Sequence, residues 1–147
     1  MNQTTARLKR VLLADDDEDD RIFFREALDE IALSTSLNLV KDGEELMHVL
    51  NHTELIPDIL FLDLNMPGRN GKDCLQEIRM YHHLKSMPVI IFSTSANYRD
   101  VEEAYTLGAD LYLQKPSGYS LMVQRLQKVL MIDWNNFNRT RESFLFS

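Results

Sequence analysis

Two short runs of the chain, residues 59–62 and 89–92, consist of apolar residues only. A strand with one face in water alternates apolar and polar side chains, whereas a strand that is apolar throughout is typical of a parallel sheet covered by helices on both faces. Neither run approaches the roughly 20 apolar residues that a membrane-spanning helix needs. The two runs therefore predict central strands of a buried parallel sheet and no membrane span.

The rest of the chain alternates strand-like and helix-like segments around these runs. Amphipathic segments with a period of about 3.6 residues, beginning with residues 19–32 and 44–51, separate the strands. Five strands that are each followed by a helix indicate an α/β doubly wound sheet with right-handed crossovers, and 147 residues suit one domain. The predicted strands are residues 10–14, 37–41, 59–63, 89–93 and 111–114.

The charge of the chain excludes some functions. Sixteen basic and 23 acidic residues give a net charge of −7, and six consecutive acids, residues 15–20, nearly account for it. No basic stripe is present, so we expect no direct binding of nucleic acid. The single cysteine, Cys74, cannot form an intramolecular disulfide, which favours the reducing cytoplasm.

Polar residues follow four of the predicted strands. Because the carboxyl ends of parallel strands meet at one edge, where ligands bind, these side chains are expected to converge. Clustered carboxylates repel one another unless a cation offsets them, so Asp15 and Asp16 favour a hard divalent cation. Residues 17–20 could belong to that cluster or form a solvated first helical turn. The converging residues are Asp15, Asp16, Asp63, Ser93 and Lys115.

These residues resemble those of the receiver domains of two-component response regulators, in particular the stand-alone receivers similar to the chemotaxis regulator. The resemblance covers residues 10–130 and implies a flavodoxin-like (βα)5 sheet of five parallel strands in the order 2-1-3-4-5. It rests on the acidic pair Asp15 and Asp16, Lys41-Asp42-Gly43, Asp63-Leu64-Asn65-Met66-Pro67-Gly68, Ser93, and Lys115-Pro116.

The resemblance also implies a role for each site residue. Asp63 would accept a phosphoryl group, assisted by Lys115 and by the hydroxyl of Ser93, which stands where threonine is more usual. Mg²⁺ (or Mn²⁺) would be bound by Asp16, by Asp15 through water, by Asp63 and by the backbone carbonyl of Asn65. Ser93 and Tyr112 would form the conformational switch. The Lys115–Pro116 peptide bond is expected to be cis.

The implied function is that of a signalling phosphoacceptor rather than an enzyme. A sensor histidine kinase or a histidine phosphotransfer protein would supply the phosphoryl group from a phosphohistidine. The chain would then act in trans on a downstream protein, as a monomer or weak homodimer, or pass the phosphoryl group on in a phosphorelay. A degenerate receiver that acts only as a scaffold is an alternative.

Two other protein classes fit poorly. A phosphatase of the haloacid dehalogenase type needs a second aspartate two residues after the nucleophile, where this chain has Asn65. A flavodoxin-like electron carrier needs a phosphate-binding loop after the first strand, where six acids would repel phosphate.

Residues 133–147 differ from the expected core, residues 8–132, because aromatic residues stand among polar ones. They are too few for an output domain, so a single receiver domain over residues 1–147 is expected. The aromatic side chains either fold back and cap an edge of the domain, or form a docking segment for a partner or a second subunit.

Overall fold

In a computed structural model, which describes residues 8–146, six parallel strands form one sheet in the order β2-β1-β3-β4-β5-β6. The predicted order of the first five strands is present, but the predicted number of strands is wrong because the C-terminal tail adds a sixth. The strands are β1 Lys9–Ala14, β2 Thr35–Val40, β3 Ile59–Leu62, β4 Val89–Ser93, β5 Leu111–Gln114 and β6 Leu145–Phe146.

Helices cover both faces of this sheet, as the two apolar runs predict. α1 and α5 pack on one face, around Phe24 and Leu126, and α2, α3 and α4 pack on the other, around Leu50 and Leu75. None of the helices in residues 8–146 is long and apolar enough to cross a membrane. The helices are α1 Glu18–Asp29, α2 Gly43–His52, α3 Gly71–Met80, α4 Tyr98–Leu107, α5 Tyr119–Leu130 and the short α6 Arg141–Phe144.

Short polar side chains begin the helices next to the carboxyl edge of the sheet. Asp17 accepts hydrogen bonds from the backbone N–H groups of Asp19 and Asp20, and Asn70 and Asn97 cap α3 and α4 in the same way. Such a cap contributes about 1 kcal/mol because it satisfies donors that the helix leaves free. Residues 17–20 thus form the cap and first turn of α1.

The tail folds back and caps the β5 edge of the sheet, which confirms the first of the two expectations for it. Phe144 is buried against the rings of Tyr105 and Tyr112, with centroids 5.1 and 6.3 Å away. The Arg139 guanidinium stacks on Tyr105 and donates to the carbonyl oxygen of Ala109 at 2.7 Å. These contacts place β6 beside β5, with Leu145 opposite Tyr112.

A carboxylate and lysine cluster at the carboxyl edge of the sheet

The two buried aspartates are held in place by the ladder of the sheet. The backbone N–H of Asp15 donates to Val40 O at 3.0 Å, and that of Asp63 donates to Ala14 O at 2.9 Å. The sheet register therefore continues one residue past β1 and β3. As a result Asp15 is fully buried and Asp63 is only 5% exposed.

Three of the predicted metal ligands lie together. Carboxylate oxygens of Asp15, Asp16 and Asp63 all lie within 4.8 Å of one another, and Asp16 is exposed. Hard divalent cations bind such oxygens, and the exposed side leaves room for the waters that Mg²⁺ retains. The backbone N–H of Asn65 donates to Asp63 Oδ1 at 3.1 Å, which keeps Asn65 beside the cluster. The cluster is thus consistent with divalent metal binding.

Burial shifts the acidity of both inner carboxyls. Desolvation raises the pKa of Asp63 to about 6, against the opposing effects of Lys115 and of the hydrogen bond from Asn65. Desolvation also raises the pKa of Asp15, although Lys115 and the backbone N–H of Asp17 favour its ionised form. A nearby cation would relieve both penalties, because it stabilises the charged carboxylates.

Lys115 is the cation already present in the cluster. Its Nζ lies 2.8 Å from Asp15 Oδ2, 2.8 Å from Asp20 Oδ2 and 3.5 Å from Asp63 Oδ2. Burial alone would lower the pKa of Lys115, but the close contacts with the carboxylates of Asp15 and Asp20 and the charge of Asp63 raise it overall. The ammonium therefore stays protonated and offsets part of the negative charge.

The Lys115–Pro116 peptide bond is trans, so the predicted cis bond is wrong. The prediction rests partly on the family resemblance, and its physical motive is that a cis bond bends the chain sharply and can hold the Lys115 side chain toward Asp63. The long side chain reaches the carboxylates without that bend, and the trans form is favoured by about 0.5–1 kcal/mol.

The sequence did not predict the contact between Asp20 and Lys115. Residues 17–20 are expected either in the cation-binding cluster or in a solvated helical turn, and neither interpretation pairs Asp20 with Lys115. The capped first turn of α1 directs its carboxylate at Lys115, which is 95 residues away in the chain. The available signal was its place in the first turn of a helix that begins directly after the acidic end of β1.

Ser93 and Tyr112 lie on adjacent strands and meet at one backbone segment. The buried Ser93 hydroxyl accepts from the N–H of Ser95 at 3.3 Å, and the Tyr112 hydroxyl donates to the carbonyl oxygen of Ser95 at 2.8 Å. Ser93 is also tied to the cluster, because its carbonyl oxygen accepts from the N–H of Lys115 at 2.7 Å. The Tyr112 ring is fully buried because Phe144 of the tail covers it. The sequence did not indicate this burial.

A glycine allows α3 to begin directly against the end of β3, where Asp63 lies. A Cβ on Gly71 would lie 2.2 Å from the carbonyl oxygen of Asp63, which is far inside contact distance. The Gly71 N–H donates to Leu64 O at 3.0 Å and closes the loop that follows Asp63. This close approach fixes the position of Asp63 relative to α3.

Comparison with known proteins gives a consistent result. The family model of the response regulator receiver domain matches residues 11–127. The response regulator Rcp1 from Synechocystis sp. is 29% identical over 126 residues, which are 82% of this chain and 86% of Rcp1. The transcriptional regulatory protein CpxR from Klebsiella pneumoniae is 31% identical over 137 residues, which are 92% of this chain but only 56% of CpxR.

Solved structures of such regulators share the fold. The phosphorylated cyanobacterial phytochrome response regulator RcpA superposes with a TM-score of 0.78 at 30% identity, over 84% of this chain and 91% of RcpA. The Mn²⁺-bound form of Rcp1 superposes with a TM-score of 0.76 at 27% identity, over 90% of this chain and 99% of Rcp1. The family match over most of the chain, the flavodoxin-like sheet and the carboxylate and lysine cluster lead to one conclusion: the chain belongs to the response regulator receiver domain family.

Proposed function

We propose that Asp63 accepts a phosphoryl group from a phosphohistidine of a sensor histidine kinase or a histidine phosphotransfer protein. The observation that carries the proposal is the placement of Asp63. It is a nearly buried carboxylate with oxygens of Asp15 and Asp16 within 4.8 Å and with Lys115 Nζ 3.5 Å away. This setting suits a nucleophile, because the attacking oxygen loses its charge when it becomes the bridging oxygen of the acyl phosphate. Lys115 and a divalent cation would then bind the transferred phosphoryl group.

In this proposal a carboxylate oxygen of Asp63 attacks phosphorus, and the bond between phosphorus and the imidazole nitrogen of the donor breaks. Lys115 turns its ammonium from the carboxylates to the phosphoryl oxygens, where charge-assisted hydrogen bonds form. The Ser93 hydroxyl donates to another phosphoryl oxygen. These residues act mainly by position and charge, because phosphoryl transfer needs little covalent chemistry from the protein.

The metal in this proposal is Mg²⁺, with Mn²⁺ as an alternative. Asp16 would bind it directly, Asp15 through water, and Asp63 and the carbonyl of Asn65 would complete the protein ligands. When bound, the ion neutralises charge on the phosphoryl oxygens and orients them. Two features support this assignment: the three clustered carboxylates, and the Mn²⁺-bound form in which the relative Rcp1 was solved.

The proposed output is a conformational change read by a protein in trans, with onward phosphoryl transfer as the alternative. The hydrogen bonds that join Ser93 and Tyr112 to the same residue, Ser95, support a coupling between the site and the surface of α4 and β5. We place this function in the cytoplasm, with a monomer or weak homodimer as the working state. Because RcpA is a phytochrome response regulator, a phytochrome-type histidine kinase is the first donor to test.

Incubation with acetyl phosphate and Mg²⁺, followed by intact-mass measurement, tests the proposal. We expect one added phosphoryl group in the wild-type protein and none in Asp63→Asn. The matched control is Asp58→Asn, which changes an aspartate at the opposite end of the sheet and should leave labelling intact. No labelling of the wild-type protein by acetyl phosphate or by any kinase would favour the scaffold alternative, and equal labelling of Asp63→Asn would place the acceptor elsewhere.

A further inference from the structure

Lys115 is held by two carboxylates that are closer to it than the nucleophile is. Its Nζ is 2.8 Å from oxygens of both Asp15 and Asp20, and 3.5 Å from Asp63 Oδ2. The ammonium donates a hydrogen bond to Asp20 Oδ2, whereas Asp15 Oδ2 lies at ion-pair distance without a hydrogen bond. The resting position of Lys115 is therefore displaced toward α1.

The turn that carries Asp20 is anchored independently of this ion pair. Asp17 caps α1, and the Arg21 guanidinium donates to the backbone carbonyl oxygen of Asp15 at 2.8 Å. These contacts tie the first turn of α1 to the end of β1. The Asp20 carboxylate thus approaches Lys115 from a fixed backbone, and its side chain is about one-third exposed (35%).

We propose that Asp20 is a positioning residue that holds Lys115 away from Asp63 in the unphosphorylated protein and must release it when the phosphoryl group arrives. The proposal rests on the phosphoacceptor role of Asp63. A phosphoryl group offers Lys115 new charged oxygens, so Asp20 competes with it for the same ammonium. A divalent cation at the cluster would weaken the attraction between Asp15 and Lys115. Asp20 would then be the main competitor of the phosphoryl group for Lys115.

Removal of this competitor is expected to favour the phosphorylated state. Asp20→Asn should bind beryllofluoride, a phosphoryl mimic, more tightly than the wild-type protein in the presence of Mg²⁺. The gain should be roughly threefold to tenfold, because a charge-assisted hydrogen bond is strong but this one is partly exposed to water. Asp20→Glu keeps the charge and should return the affinity toward the wild-type value.

The matched control is Asp19→Asn, which removes the same charge from the same helical turn. Asp19 is exposed and is not among the carboxylates that contact Lys115. Any general effect of reduced negative charge on binding of the anionic mimic should appear in both variants. Equal affinities of Asp19→Asn and Asp20→Asn, or weaker binding by Asp20→Asn, would overturn the proposal.

A second measurement tests the resting contact without metal or mimic. The ¹⁵N resonance of the Lys115 ammonium, recorded in EDTA, should move in Asp20→Asn and stay in place in Asp19→Asn. An unmoved resonance in Asp20→Asn would refute the contact even if Asp63 proves to be phosphorylated. Conversely, a moved resonance with no binding of the mimic by wild-type protein would refute the phosphoacceptor role and the release step, and would leave only the resting ion pair.

Discussion

The site contains more negative than positive charge, and this excess determines its chemistry. The ammonium of Lys115 lies within 3.5 Å of the carboxylates of Asp15, Asp20 and Asp63, and the carboxylate of Asp16 lies beside two of these. Two of these carboxylates are buried, so water cannot screen their repulsion. The folded state therefore carries an electrostatic penalty that protons or a divalent cation would relieve.

Asp63→Asn is expected to stabilise the protein at neutral pH. Burial raises the pKa of Asp63 from 3.8 to about 6, so the folded protein binds a proton more readily than the unfolded chain does. The stability that comes from this proton is present below about pH 4 and is lost as the pH rises through 6. Above pH 6, Asp63→Asn should exceed the wild type by about 1–3 kcal/mol.

Denaturant unfolding in EDTA between pH 4 and 8 measures this difference. The advantage of Asp63→Asn should shrink as the pH falls and should be small near pH 4, where the wild-type carboxyl is protonated. A difference that stays constant across this range would show that the substitution acts through packing and not through the charge of Asp63.

Mg²⁺ is expected to raise the melting temperature through the same carboxylates. An ion that binds only the folded state at ten times its Kd contributes about 1.4 kcal/mol, or roughly 3–6 °C for a domain of this size. Asp16→Asn should lose most of this shift, whereas Asp19→Asn should retain it. A full shift in Asp16→Asn, measured by thermal unfolding with and without Mg²⁺, would remove Asp16 from the ligand set.

At the level of secondary structure, the loop between β3 and α3 determines where Asp63 lies. Gly71→Ala would bring a methyl group against the Asp63 carbonyl oxygen, which belongs to rigid backbone, so we expect a loss of about 1–3 kcal/mol. Gly118→Ala is the matched control, because a methyl group there would have none of the described atoms within 4 Å and the φ of Gly118 is −100°. Chemical unfolding of both variants measures the effect, and equal stabilities would contradict the close approach at Gly71.

The C-terminal tail depends on one buried ring. Phe144→Ala removes the side chain that packs on Tyr105 and Tyr112, and a buried phenylalanine contributes about 3–5 kcal/mol at most. Because Phe144 is the buried side chain that packs this segment on the domain, we expect the loss to appear mainly as faster hydrogen exchange in residues 141–146. Leu145→Ala alters the neighbouring residue, which is 44% exposed, and should change exchange little. Unchanged exchange in Phe144→Ala would contradict the role of Phe144.

Across the whole molecule, β4 and β5 connect the acidic site to the tail. Ser93 lies at the site, the Tyr112 hydroxyl bonds to Ser95, and the Tyr112 ring touches Phe144. The tail therefore covers part of the α4 and β5 surface on which we expect the partner to dock. A ligand at the site can affect the tail only if its affinity differs between two arrangements of this chain of contacts.

Beryllofluoride with Mg²⁺ is accordingly expected to change hydrogen exchange at Tyr112 and in residues 141–146. Ser93→Ala should still bind the mimic but should lose most of this distant change, because it lacks the hydroxyl that would donate to a fluorine atom of the mimic in place of a phosphoryl oxygen. Thr94→Ala, which alters the exposed neighbour, serves as the control. Equal responses in wild type and Ser93→Ala would show that Ser93 is not the coupling residue.

Local pattern and the geometry of parallel sheets were enough to predict most of the fold and much of the site. Continuous apolar runs identified the central strands, and the rule that ligands bind at their carboxyl ends brought Asp15, Asp16, Asp63, Ser93 and Lys115 to one edge. The first inference depends only on residues that are close in sequence. The second depends on the connection rules of parallel sheets, which allow few topologies.

Contacts between distant segments had to come from the tertiary structure. The pairing of Asp20 with Lys115 depends on the position of the first turn of α1 relative to the end of β5, and no local sequence pattern encodes that position. The sixth strand forms because Phe144 packs in a hydrophobic site beside Tyr105 and Tyr112. A segment of only two residues has no strand pattern that the sequence could reveal. The peptide bond before Pro116 is likewise trans, and the long side chain of Lys115 contacts its carboxylates without the predicted bend.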